Sequence, residues 1–266
     1  MRPLACDLTS PEDVRRLKAA VGWEADVALY LAANSDPARS VAEPTWDLMS
    51  NTLAMANFLE RCPVKHLIYL SSGAVYEGRV GPVCPATPVN PTLPYAISKL
   101  AAEGYVRFYA EQRGTLGRYT ILRFFGVYGP YEPARKITTR WLTALADGQR
   151  TFSLRGDGKN LIDLMYIDDM VDGLFRLINA PGQSLTADFA AGSPMSLDEL
   201  VMAMANAFGV PMTVHHEGHT AEDIQFYSVD PTMRDRVGWK PTTSLEEGVR
   251  RLRAFLSEPL LREAVS

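Results

Sequence analysis

The chain is poor in the features that staple, anchor or export a protein. Its three cysteines, Cys6, Cys62 and Cys84, are odd in number, far apart and without a C-x-x-C pair. Neither a disulfide framework nor a tetrahedral zinc site follows from them. The most continuous apolar run, VALYLAA (27–33), falls far short of the ~20 residues that span a bilayer. The opening MRPLACDLTS lacks the apolar core of a secretory signal. There is no basic excess, the formal net charge being −4, which argues against nucleic acid or an anionic membrane as the main partner. No glycine occurs before Gly22, so the stretch ahead of it holds no glycine-rich phosphate turn. Together these absences point to a protein of the reducing cytoplasm with no membrane and no nucleic-acid partner.

What is present is an ordinary globular composition. Of 266 residues, 47% are apolar and 22% charged, enough to bury a full core as one large α/β domain or two lobes. The first half alternates short apolar runs with amphipathic stretches. PLACDL (3–8) reads as a short strand, and Ser10-Pro11-Glu12-Asp13 as a helix start with cap, proline and acids in place. VALYLAA reads as a strand, 44–62 as a helix, HLIYLSS (66–72) as a strand, 93–112 as a helix and YTILRF (119–124) as a strand. Apolar strands separated by helices predict a parallel sheet covered on both faces, the doubly wound arrangement.

The second half is less regular. A helix is expected over 137–146, and TFSLRGDGKNLIDLMYIDD (151–169) as a hairpin running into a helix capped near Asp168, with Gly156-Asp157-Gly158 as the hairpin turn. LTADFAAG (185–192) reads as a buried strand that rejoins the main sheet. Ser196-x-x-Glu199 and Ser244-x-x-Glu247 both match the capping box. The expected division is 1–125 for the sheet domain and 126–266 for a smaller lobe.

Chemistry concentrates in LPYAISKLAAEGYVRFYAEQ (93–112), where Tyr95 and Lys99 stand one helical turn apart on one face. A phenol ionises near pH 10 and is a poor base at neutral pH. An ammonium beside it favours the phenolate and should lower that value, giving a group able to exchange a proton with a hydroxyl or ketone. The spacing alone occurs by chance in many helices. Context strengthens it, because YLSSGAVYEG delivers Ser71 and Ser72 to the carboxyl end of the sheet, where open α/β sheets hold ligands.

LSSGAVYEG, PYAISKLAAE, ILRFFGVYGP, GDGKNLIDLMYIDDMVDGL and VGWKPTTSLEEGVRRL resemble, in order, successive signatures of the extended short-chain dehydrogenase/reductase family, in its nucleotide-sugar epimerase/dehydratase branch. The resemblance implies a Rossmann-like sheet with a small C-terminal substrate lobe, NAD or NADP as cofactor, and a nucleotide-sugar substrate. By matching position, Tyr95 is the acid/base, Lys99 tunes it and holds the nicotinamide ribose, and Ser72 completes the triad. Asp7 and Leu8 fall at the adenine, Ala32 and Ala33 along the cofactor, and Phe124 to Val127 beside nicotinamide and sugar. Asn34, Ser35, Gly73, Ala74, Gly126, Arg135 and Lys136 fall on the substrate side. The implied reaction is oxidation of a sugar hydroxyl to a transient ketone, which an epimerase reduces again from its other face. A keto-sugar or other carbonyl reductase uses the same residues. Family members commonly form dimers through the helix bearing the tyrosine and the helix before it, which implies a homodimer here.

Several positions depart from the family pattern. Gly73 and Ala74 stand where its dehydratases carry an acidic pair, so elimination of water is not expected. Gly126 replaces a usual asparagine, and Ile162 an arginine that grips the diphosphate in many members, leaving Arg135, Lys136 and Arg140 as other phosphate partners. The family opens with a strand and G-x-x-G-x-x-G, whereas this sequence starts about where the third strand would lie. That suggests an N-terminally truncated sheet, weak dinucleotide binding, and, as a further reading, an inactive homologue serving as a binding module. HHEGH (His215, His216, Glu217, His219) on a polar loop is read as a polar contact rather than a metal site, and Met202, Met204 and Phe208 as packing.

Overall fold

The computed structural model describes residues 3–22, 24–218 and 224–257. In chain order the elements are α1 (Pro11–Val21), β1 (Ala25–Tyr30), α2 (Pro37–Ala42), α3 (Pro44–Leu48), α4 (Ala54–Arg61), β2 (Val64–Ser72), β3 (Val80–Val83), α5 (Pro94–Phe108), β4 (Leu116–Phe124), β5 (Val127–Tyr128), α6 (Ile137–Ala146), β6 (Thr151–Arg155), β7 (Leu161–Ile162) and β8 (Met165–Tyr166). There follow α7 (Ile167–Asn179), β9 (Leu185–Phe189), β10 (Met195–Ser196), α8 (Leu197–Phe208), β11 (Thr213–Glu217), β12 (Gln225–Ser228), α9 (Thr232–Val237) and α10 (Leu245–Leu256). They divide into two compact units.

The first unit comprises Met1–Glu77, Cys84–Phe124 and Ala180–Phe189. Its sheet has the order β1-β2-β4-β9, every pair parallel. Strand register aligns Tyr30 with Tyr69 and Tyr69 with Ile121. Because side chains alternate along a strand, this row and Leu67–Tyr119 share one face. They pack on Met55 and Leu59 of α4 and on Ala102 and Val106 of α5, all buried. Ser72, Phe124 and Phe189 align at the carboxyl end.

Local chemistry sets the helix limits. Ser10 caps α1 by accepting from the Asp13 N–H, Pro11 occupies the first turn, and Gly22 closes the helix in the left-handed region at φ 73°. The predicted helix over 44–62 is α3 and α4 joined by a π turn at Met49–Leu53, an insertion that apolar periodicity does not reveal. Residues 3–8 form no strand. Asp7 folds back instead, its Oδ1 accepting from the Thr9 N–H at 2.9 Å, while Asn57 Nδ2 donates to the carbonyls of Leu8 and Thr9 at 3.2 and 3.1 Å. The backbone of this segment is satisfied by a turn and a side-chain amide rather than by a ladder.

The second unit comprises Gly78–Val83, Phe125–Asn179 and Ala190–Ser266. Its strands form two-stranded ladders: β6 with β11, β5 with β8 and β3 with β12 are parallel, and β7 with β10 antiparallel. The expected hairpin over 151–169 is therefore not formed, since β6, β7 and β8 pair with three different partners. Gly156-Asp157-Gly158 does turn the chain, with both glycines at positive φ, but between separate ladders. The core includes Tyr128, Trp141, Leu142, Phe152, Leu200, Met204, Val249 and Leu252. Ser196 and Glu199 form the full capping box of α8. At α10 Ser244 accepts from the Glu247 N–H, but Glu247 turns its carboxylate to Arg250 and Arg251, so half the box is made. Among the described residues no helix is long and apolar enough to cross a membrane.

Candidate active site

The site is built at the carboxyl end of the first unit's sheet. Strand β2 ends at Ser72, whose hydroxyl accepts from the Ala74 N–H at 3.1 Å and so opens a single 3-10 turn at Gly73–Tyr76. Helix α5 begins at Pro94, so Tyr95 and Lys99 occupy its first two turns. The Tyr95 N–H, one of the donors a helix start leaves unpaired, donates to Ser40 Oγ at 3.1 Å. Lys99 is buried; its Nζ donates to the Leu70 carbonyl at 2.9 Å and lies 5.3 Å from the Tyr69 ring centroid and 5.9 Å from that of Tyr95. The structure thus brings Ser72, Tyr95 and Lys99 together.

Their ionisation differs in part from the expectation. Burial pushes the Tyr95 phenol above its ordinary value and the Asp47 charge adds to this, while hydrogen bonding from Ser72 works in the opposite direction. The phenol therefore sits above, not below, the usual range, because desolvation outweighs the favourable contacts. Burial also brings Lys99 down to about 8, against the opposing fields of Asp47 and Glu103.

Two buried polar networks support this turn, and of their members the sequence marks only Asn34 and Ser71. In the first, Asp47 Oδ2 accepts from Ser98 Oγ at 2.6 Å, and Oδ1 accepts from Asn34 Nδ2 at 2.7 Å and Asn51 Nδ2 at 3.0 Å. Asn51 Nδ2 also reaches Ser98 Oγ at 2.9 Å, and Thr52 Oγ1 donates to the Ser98 carbonyl at 2.9 Å. The π turn aims Asn51 and Thr52 at α5, consistent with the frequent functional placement of such turns. In the second, Arg123 forms a two-pronged pair with Glu103, and Ser71 Oγ donates to Glu103 Oε1 at 2.7 Å. Tyr76 Oη, accepting from Arg123 Nη1 at 3.0 Å, donates to Asp188 Oδ1 at 2.8 Å. Glu103 lies one turn beyond Lys99, a spacing visible in the sequence. Asp47 and Asn51 are also one turn apart, but nothing local marks them as facing α5.

The other predicted positions lie as follows. Asn34 is buried with its amide committed to Asp47 and to the backbone of Asp36. Ala32, Ala33 and Ser35 follow β1 on the surface, Gly73 is buried, Ala74 and Phe124 are half-buried, and Asp7 is exposed with Leu8 half-buried. Gly126, Val127, Arg135 and Lys136 belong to the second unit, where Arg135 and Lys136 are exposed. A Cβ on Gly126 would stand 2.7 Å from the Asp163 carbonyl and 2.8 Å from Leu164 Cδ2, so only glycine fits. Its carbonyl accepts from the Met165 N–H at 3.2 Å. His215 and His216 are exposed, His216 Nε2 lying 2.8 Å from Asp198 Oδ1; His219 lies outside the described residues. Among the described residues no cluster of His, Cys, Asp or Glu could hold a metal.

A parallel α/β sheet with serine, tyrosine and lysine gathered at its carboxyl end defines the class of a Rossmann-like α/β protein. Residues 2–190 match the family model of the NAD dependent epimerase/dehydratase family, and the chain belongs to that family of enzymes. It is 29% identical over 243 residues to a UDP-glucose 4-epimerase of Mycolicibacterium smegmatis, covering 88% of this chain and 76% of that protein. It is also 29% identical over 236 residues to a dTDP-glucose 4,6-dehydratase of the same organism, covering 85% and 70%. In fold it is similar to the UDP-glucose 4-epimerase of Thermotoga maritima, solved with UDP-glucose, with a TM-score of 0.86, 24% identity, and 96% of this chain and 84% of that one covered.

Proposed function

We propose that this protein is an NAD(P)-dependent epimerase of a nucleotide-activated sugar, with a UDP-hexose such as UDP-glucose as substrate. The observation that carries the reading is the convergence of Ser72, Tyr95 and Lys99 within one end of one sheet. The residues present fit the nicotinamide-ribose part of the cofactor. An ammonium has three hydrogens, and Lys99 donates one to Leu70, leaving donors for ribose hydroxyls. Tyr95 and Lys99 would hold the ribose, Ala32, Ala33 and Phe124 would lie along the cofactor, and Asp7 and Leu8 at the adenine. When bound, NAD(P) supplies the acceptor and donor of hydride.

Tyr95 takes the proton from the sugar hydroxyl as it is oxidised and returns it when the ketone is reduced. Ser72 hydrogen-bonds the same oxygen and Lys99 favours the phenolate. Gly73 and Ala74 present no acid, so this site favours epimerisation over loss of water. A homodimer is part of the proposal, supported by the exposed Leu48 and Met49 on the helix before α5 and by Ile97, Tyr105 and Phe108 on α5. The unpaired Cys6, Cys62 and Cys84 suit a reducing cytoplasm.

The test is calorimetric titration with NAD(H) and NADP(H), followed by incubation with UDP-glucose without added reduced cofactor. UDP-galactose formation is expected. Turnover only of a keto-sugar, and only with reduced cofactor, would make the enzyme a reductase. Binding of neither dinucleotide would defeat the reading.

A further inference from the structure

We propose that Asp47 is a positioning residue that acts on Tyr95 and Lys99, through the Ser98 hydroxyl and through its own charge. The inference rests on the epimerase reading for the roles of Tyr95 and Lys99. Asp47 is 1% exposed and Glu103 fully buried, so two buried carboxylates flank the lysine turn. They are compensated differently. Glu103 is paired with Arg123 and Arg107. Asp47 receives hydrogen bonds only from neutral groups, those of Ser98, Asn34 and Asn51, and no cation among the described residues is within ion-pairing distance of it.

Neutral donors solvate a buried carboxylate but add no counter-charge, so its field reaches the cations buried near it. Lys99, buried one residue beyond Ser98, is the cation on which the Asp47 field acts. The groups facing Lys99 are Asp47 from α3, Glu103 from its own helix, and the rings of Tyr69 on β2 and Tyr95. Of the two carboxylates, Asp47 is the one that no arginine among the described residues pairs with. Its geometry is equally directed. Ser98 Oγ gives its one proton to Asp47 Oδ2 at 2.6 Å, and Thr52 Oγ1 donates to the Ser98 carbonyl at 2.9 Å, so the residue between the phenol and the ammonium is held by both side chain and backbone. Through Asn34 the Asp47 carboxylate ties the same turn to the loop leaving β1.

The test is NMR titration of protein carrying ε-13C lysine, with the Lys99 signal assigned by comparison with Lys99→Met. Asp47→Asn keeps the shape and removes the charge, and the Lys99 midpoint is expected to fall from about 8 toward neutral. An unchanged midpoint with a lowered melting temperature would reduce Asp47 to a structural role and overturn the proposal. Should Asp47→Asn fail to fold, Ser98 carries the test. Ser98→Ala is expected to lower kcat about tenfold with KM little changed, and Ser98→Thr to restore most of it; wild-type kcat in Ser98→Ala would overturn the proposal. The lysine titration needs no substrate. A shifted Lys99 in a protein that turns over no sugar would therefore sink the epimerase reading while upholding the link from Asp47 to Lys99.

Discussion

Arg123 and Glu103 meet as a two-pronged ion pair inside the first unit, Nε to Oε1 and Nη2 to Oε2, each at 3.0 Å, with Arg123 4% exposed. One partner is on β4 and the other on α5, so the pair locks the helix bearing Tyr95 to the centre of the sheet. Glu103→Gln leaves a guanidinium buried without its counter-charge. Breaking a buried pair from one side costs about 3–5 kcal/mol. Equilibrium urea unfolding should show a loss of that order, and a loss below ~1 kcal/mol would mean that the pair does not anchor the helix.

Tyr95→Phe removes the proton carrier and leaves the ring. General acid–base groups contribute about 10²–10⁴-fold, and kcat should drop within that range, far beyond the smaller weakening of the dinucleotide Kd from one lost ribose contact. An enzyme retaining a third of its kcat would place the acid/base elsewhere.

Lys99 makes the site costly to fold. In the unfolded chain the amine keeps its proton to about 10.5, whereas in the folded protein it releases it near 8. The folded state therefore binds fewer protons between these values, and stability rises with pH across that window. The penalty is full below pH 8 and gone above 10.5. Lys99→Met removes the titrating group, so the rise in the urea midpoint between pH 8 and 10.5 should flatten while turnover is abolished. Urea midpoints measured from pH 7 to 10.5 check both sign and window.

Gly126→Asn would restore the side chain usual in the family but has no room for it. With the Asp163 carbonyl 2.7 Å from the added Cβ, the 163–164 backbone must move, at a cost of about 2 kcal/mol typical of overpacking. A thermal melt showing no loss would mean that this segment yields freely.

Much of the first unit was legible because local signals agreed with the tertiary result. Apolar runs marked β1, β2, β4 and β9, and Pro94 and the Tyr95–Lys99 spacing marked α5; in the second unit Ser196 with Glu199 marked a cap that is fully made. Residues 3–8 had a strand's composition, yet pair with no strand among the described residues. The 151–169 segment misled for a related reason, since strandedness is local but the choice of partner is not.

The sequence by itself determined the alternation of strand and helix, the presence of a phenol and an ammonium one turn apart, and the delivery of serines to a strand end. Those follow from periodicity, capping and spacing, which act over a few residues. Only the tertiary structure decided that desolvation leaves Tyr95 above its ordinary range and Lys99 near 8. It also decided that Asp47, 51 positions before Ser98 in the chain, closes on the turn between them. Burial and long-range hydrogen bonds depend on which surfaces meet, and no local pattern records that choice.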